Sequence, residues 1–200
     1  MTVFAGPNGA GKSTLRDVLL NTESLGTVID ADEIARRHRL SSVAAGREVI
    51  RLVNECLAAS KSFCLESTLS GNLILKQMTQ AKNTGYQVRL IFMALPTPED
   101  HIQRIAQRVA RGGHGIPDED VMRRYTRALN HLPKAVHFAD HVNIYTNRQG
   151  CELVLRLEHG KVIVRHQDCP PWALRVLDHL TKNVSEHNRE PEPPRRGRRR

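Results

Sequence analysis

One stretch constrains this chain more than any other: GPNGAGKST, Gly6 to Thr14. It fits G-x-x-x-x-G-K-[S/T] through Gly6, Gly11, Lys12 and Ser13. Its flanks supply the structural context that the pattern requires. TVFA is a short β-branched and aromatic run that stops at Gly6, and KSTLRDVLL spaces its leucines as a helix does. Strand, loop and helix therefore follow in that order. Glycines let the backbone curl so that successive N–H groups point inward, and the helix adds its positive amino end, so the turn suits a phosphate. Gly6, Pro7, Asn8, Gly9, Ala10, Gly11, Lys12, Ser13 and Thr14 are the candidate phosphate-binding residues. Lys12 is expected to reach the β- and γ-phosphates of a nucleotide, and the Ser13 hydroxyl to ligate Mg²⁺.

The rest of the chain alternates strands and helices. GTVID reads as a second strand with Asp30 at its carboxyl end and Asp32 two residues beyond, followed by the helical ADEIARR. A helix is predicted over about 43–59, then a strand SFCLE ending on Glu66, then a helix around 72–81. YQVRLIFMAL is the longest apolar β-type run and is expected at the centre of the sheet. Thr97 and Asp100 resemble a capping box with Pro98 opening a helix that runs to about Arg111. GGHGIP breaks that helix, and Pro117 and Asp118 start another. HVNIYT reads as a fifth strand, the two strands about His159-Gly160 as a hairpin over about 151–166, and 172–182 as a closing helix. The expectation is one α/β domain, residues 1–182, with a parallel sheet flanked by helices, a small C-terminal hairpin and a ligand at the carboxyl ends of the strands.

Polar residues at those strand ends carry the chemistry. There is no N-K-x-D guanine signature, and the predicted central strand ends without the acid found there in motor ATPases. The acids end the second and third strands instead. Asp30 and Asp32 point to the same side of the extended segment, and either can act as a general base, while Asp30 can equally cap the next helix. Glu66, followed by Ser67, Thr68 and Ser70, suits holding substrate or the Mg²⁺ shell. Arg104, Arg108 and Arg111 form a stripe on one helix face, with Arg111 meeting the glycine turn where it can lean over a phosphate. On the next helix Arg124 borders the buried face, whereas Arg123 and Arg127 point away from it. His114, between glycines, is a candidate for substrate binding.

The charge is uneven. Of a formal net charge of +9, residues 183–200 contribute six Arg against three Glu, which leaves +6 on the preceding residues. EPEPPRRGRRR lacks apolar residues and is expected to be a disordered basic tail, the one part suited to nucleic acid. No run of 18 apolar residues is present, and a Gly-rich polar segment begins at Gly6 where a secretion signal would need an apolar one, so neither a membrane span nor export is expected. Cys56, Cys64, Cys151 and Cys169 lack C-x-x-C spacing and read as reduced, mostly packed thiols of a cytoplasmic protein.

Taken in order, GPNGAGKST, VIDADEIARR, FCLESTLSG and RVARGGHGIPDEDVMRRYTRALNHL resemble the zeta toxin family of P-loop kinases, over about 2–146. The resemblance implies a nucleotide-kinase-like P-loop fold and transfer of the γ-phosphate of ATP, with Mg²⁺, to the 3′-hydroxyl of UDP-N-acetylglucosamine. It also implies an antitoxin partner that blocks the ATP site. It makes Lys12 the phosphate-loop lysine, Asp32 the base that activates the sugar hydroxyl, Glu66 a substrate-binding acid, and Arg111 and Arg124 the arginines on the transferred group. Arg108 and Arg123 compete for those two places. This chain is shorter than the larger zeta toxins, so a kinase of another small alcohol (an antibiotic, a nucleoside or a sugar) stays open. So does a nucleotide-dependent binding module whose basic tail contacts nucleic acid.

Overall fold

The computed structural model describes residues 1–187. Seven strands form one sheet in the order β2-β3-β1-β4-β5-β6-β7. The strands are β1 (Thr2–Ala5), β2 (Thr27–Ile29), β3 (Phe63–Ser67), β4 (Arg89–Ala94), β5 (His141–Thr146), β6 (Glu152–Glu158) and β7 (Lys161–Arg165). The helices are α1 (Lys12–Leu20), α2 (Ala31–His38), α3 (Ser42–Ala58), α4 (Asn72–Asn83), α5 (Pro98–Ala110), α6 (Asp118–His137) and α7 (Pro171–His187). β1 to β5 pair in parallel, so each return needs a crossover, and helices supply it. β4 stands fourth of the seven strands, and Leu90 to Ala94 are all fully buried, as expected of the most apolar run.

Period-2 alternation divides the core between the two faces of the sheet. Val3, Ala5, Leu65, Leu90 and Phe92 belong to the larger cluster with residues of α3, α4, α6 and α7. Phe4, Cys64 and Ile91 point the other way, onto Leu15 and Leu19 of α1. All four cysteines are free: Cys56, Cys64 and Cys169 are buried, Cys151 is exposed, and burial pushes the Cys64 thiol up to about 11.

The capping box at the start of α5 is formed, with Thr97 and Asp100 each accepting from the other's backbone N–H. The hairpin turns on His159 and Gly160, both at positive φ, and it continues the sheet: β6 pairs antiparallel with β5, and Val154, Leu155 and Leu157 enter the main core. α7 continues to His187, into the segment whose composition predicts disorder from 183 onward, because lengthening a helix that already exists is far easier than starting one. The remainder of that segment, 188–200, lies outside the described residues. Among the described residues no helix is long and apolar enough to cross a membrane.

Trp172, the single tryptophan, packs against Phe92 with ring centroids 5.8 Å apart. Phe92→Ala should lower the unfolding free energy by about 3–5 kcal/mol through lost transfer energy and the cavity left behind. Urea denaturation followed by Trp172 emission reads that change directly.

Candidate active site

The phosphate loop leaves β1 at Ala5, which is in register with Phe92 of β4, so Gly6 comes against Met93. A Cβ on Gly6 would stand 1.9 Å from the Met93 carbonyl oxygen, and its φ of +141° is one that other residues rarely adopt. Gly11 (φ +99°) caps α1 without a side chain, and a Cβ there would meet Asn147 Nδ2 at 2.6 Å. Glycine is thus required at both ends of the cradle, and no side chain caps the amino end of α1.

Lys12 opens α1 and is only 7% exposed. Its Nζ donates to the Pro7 carbonyl at 3.1 Å and lies 3.7 Å from Glu66 Oε1. Burial lowers its pKa, opposed by the charges of Glu66, Asp32 and Asp30, while Arg108 adds to the lowering. The parallel register Phe4↔Glu66 explains how Glu66 arrives there, since it sets the end of β3 level with the start of the loop. Glu66 Oε1 accepts from Ser13 Oγ at 3.1 Å, and Oε2 from Arg16 at 3.1 Å. Burial raises the pKa of Glu66, and Lys12 opposes the rise.

Asp30 is the N-cap of α2, its Oδ1 accepting from the N–H groups of Asp32 and Glu33. Asp32 therefore sits in the first turn of α2, exposed, within the field of Lys12. Among the described residues its carboxylate accepts no hydrogen bond and forms no ion pair, which leaves it available to an incoming hydroxyl. Thr68 Oγ1 is 2.8 Å from Ser70 Oγ, beside the end of β3.

The arginines separate. Arg124 NH1 donates to the Asn8 side chain at 3.1 Å, which puts this residue of α6 against the phosphate loop. Arg123 pairs with Asp120 on the outer surface. In the other pair it is Arg108 whose charge reaches Lys12, while its NH2 donates to the His114 carbonyl at 2.7 Å. Arg111 ends α5 exposed, with its backbone N–H bonded to Arg108, and His114 is exposed in the turn that follows.

Three residues that sequence reasoning did not single out hold the site: Arg16, His101 and Asn147. Arg16 is buried and touches Asp30 and Glu66; its place four residues after Lys12, on the same face of α1, was the available signal. His101 is wholly buried: its Nε2 accepts from Leu95 N–H at 3.0 Å, so the proton is on Nδ1, which donates to the Asn8 carbonyl at 2.7 Å. It lies one turn before Ile105 on the buried face of α5, and that spacing could have pointed to it. Asn147, just past the carboxyl end of β5, donates to the Ala10 carbonyl at 2.9 Å, and Arg104 donates to the Asn147 carbonyl.

No group of three or more His, Cys, Asp or Glu among the described residues could hold a metal by itself. Ser13 and Glu66 instead fit a Mg²⁺ that arrives with phosphates, since this ion keeps several waters and takes one or two protein oxygens besides the nucleotide's.

Comparison with known proteins bears on the family and the fold. The family model described as AAA domain matches residues 1–132. An uncharacterized protein of Haemophilus influenzae is 39% identical over 127 residues, 61% of this chain and 89% of its own length. A structure from the PezAT chromosomal toxin–antitoxin system of Streptococcus pneumoniae superposes with a TM-score of 0.55 at 18% identity, over 95% of this chain and 88% of that one. The AvrRxo1-ORF1:-ORF2 structure with ATP gives 0.64 at 16% identity, over 90% of this chain and 63% of that one. The shared fold is the α/β P-loop kinase-like one.

Burial holds the His101 pKa down at about 4, from an ordinary 6.5, and protonation at Nε2 would set a proton against Leu95 N–H. Between those two values the unfolded chain binds the extra proton, so stability present above pH 6.5 should fall towards pH 4, by roughly 3 kcal/mol in all. Urea denaturation from pH 7 to 4.5 should show a markedly smaller loss in His101→Gln, whose amide can serve both backbone partners.

Proposed function

The chain belongs to the AAA domain family, and from that premise we propose that it is an ATP-dependent phosphotransferase acting on a hydroxyl of a small molecule. The observation that carries this is the placing of Lys12 beside Glu66 of β3 and within reach of the charge of Asp32 on α2. Glu66 stands 3.7 Å from Nζ, and the exposed carboxylate of Asp32 lies in the same field. A module that only binds nucleotide has no use for a free carboxylate across from its phosphates. A kinase needs one to take the proton of the attacking alcohol.

Each role follows from position. The curled backbone from Gly6 to Gly11 and the amino end of α1 hold the phosphates of ATP, and Lys12 balances charge on the terminal group. Ser13 and Glu66 would hold Mg²⁺, which when bound supplies positive charge along the phosphate oxygens. Asp32 orients the acceptor hydroxyl and takes its proton. Arg124, tethered at Asn8, and Arg108, felt at Lys12, approach the group being transferred from the α5–α6 side. Arg111 fills the second role only if its exposed side chain folds back over the loop. Thr68 and His114 remain proposed acceptor contacts.

A nucleotide sugar such as UDP-N-acetylglucosamine is the acceptor we propose, on the resemblance to zeta toxins. The similarity to a structure from a chromosomal toxin–antitoxin system supports a protein partner; that this partner covers the nucleotide site is proposed on the resemblance to zeta toxins alone. The test incubates the protein with ATP, Mg²⁺ and either UDP-N-acetylglucosamine or a metabolite extract, and mass spectrometry identifies what gains a phosphate. Lys12→Ala should abolish transfer. Asp32→Asn should keep its ATP affinity and slow transfer about 10²–10⁴-fold. Undiminished transfer in Asp32→Asn would refute the base, and a protein that phosphorylates no alcohol would refute the reading as a whole.

A further inference from the structure

Arg16 is a charged side chain that the proposed chemistry does not employ, yet it is only 8% exposed at the mouth of the sheet. One nitrogen, NH1, donates to Asp30 Oδ2 at 2.9 Å and to Glu66 Oε2 at 3.1 Å, while Nε donates to the exposed Asp17 at 3.1 Å. The other oxygen of each acid is also committed. Asp30 Oδ1 holds the N–H groups of Asp32 and Glu33, and Glu66 Oε1 accepts from Ser13. Arg16 therefore closes a continuous chain of hydrogen bonds from Ser13 through Glu66 and Asp30 to the backbone of Asp32. A second cation one turn below Lys12 would be unfavourable on a helix unless acids fixed it there.

We propose that Arg16 is a positioning residue: by sharing one guanidinium nitrogen between Glu66 and Asp30, it holds the acid beside Ser13 and the helix end carrying Asp32 in one fixed relation. The assignment rests on the phosphotransferase reading above. With Arg16 removed, Glu66 loses the partner of its outer oxygen, and Asp30 keeps only its capping role. Two parts of the site then move independently.

The test uses ATP and Mg²⁺ as probes and needs no acceptor. Calorimetry gives ATP affinity with and without Mg²⁺, and hydrogen exchange gives the protection of the Asp32 and Glu33 amides. In Arg16→Met the lost positive charge should weaken ATP binding with and without Mg²⁺ alike, and beyond that common loss the gain from Mg²⁺ should fall about tenfold, as for other residues that orient a metal's ligands. The two amides should exchange about tenfold faster. Arg16→Lys retains the charge without the planar fork that reaches two acids at once, so its Mg²⁺ gain should fall only about threefold. An arginine that merely stabilised the fold would lower the melting temperature and leave the Mg²⁺ gain unmoved. Either readout at its wild-type value in folded Arg16→Met overturns the proposal. Should that variant fail to fold, a wild-type Mg²⁺ gain in Arg16→Lys overturns it instead. A wild-type protein whose ATP affinity does not respond to Mg²⁺ would bring down the phosphotransferase reading first, and this inference with it.

Discussion

Four charges share a space with little water at the carboxyl ends of β2 and β3: Lys12, Arg16, Asp30 and Glu66. Taking any one of them out of water alone would be prohibitive, so each is tolerated only because the others are present. The set is balanced, two cations against two anions, and it ties α1, β3 and the start of α2 together. Removing a single member would leave an uncompensated charge at the centre of the site. The rest of the molecule can be understood as the scaffold that holds Arg16 2.9 Å from Asp30 and 3.1 Å from Glu66, and Lys12 3.7 Å from Glu66.

That scaffold is the parallel part of the sheet, β1 to β5. β1 lies between β3 and β4, so the phosphate loop emerges between one strand end bearing an acid and another bearing none. Crossovers to the β3 side and to the β4 side leave opposite edges of β1, and a crevice opens where the order reverses, the general place for ligands in such sheets. α5 and α6 close the crevice from the β4 side. His101, Asn147 and Arg124 grip the loop from there at the Asn8 carbonyl, the Ala10 carbonyl and the Asn8 side chain. The loop is thus preorganised by groups distant in sequence, with little left to order when phosphates bind. In the phosphotransferase reading proposed above, a balanced cluster leaves the several negative charges of a nucleotide to be met by further cations, the role proposed for Mg²⁺, Arg108 and Arg124.

Much of this was legible in the linear chain. The strand–loop–helix around Gly6–Thr14, the seven strands, the capping box at Thr97 and the turn at His159-Gly160 all follow from local patterns, and local patterns reflect backbone preferences that tertiary packing here reinforces. The choice of Arg124 over Arg123 was also accessible, because the helix period places one at the border of the buried face and the other outside it. The helical stripe could not choose between Arg108 and Arg111. Both follow the same spacing, and only the docking of α5 beside the phosphate loop brings the charge of Arg108 to bear on Lys12.

By itself, then, the sequence determined a strand–loop–helix with the phosphate-loop pattern and acids at the ends of the second and third strands, because glycine freedom, helix caps and period-2 burial are properties of short segments. Only the tertiary structure decided which atoms meet. The parallel register that sets Phe4 beside Glu66, the arginine shared by Asp30 and Glu66, and the neutral histidine under Asn8 join residues up to 93 positions apart. Such contacts depend on how whole elements dock, a consequence of collective burial that no window of a few residues contains.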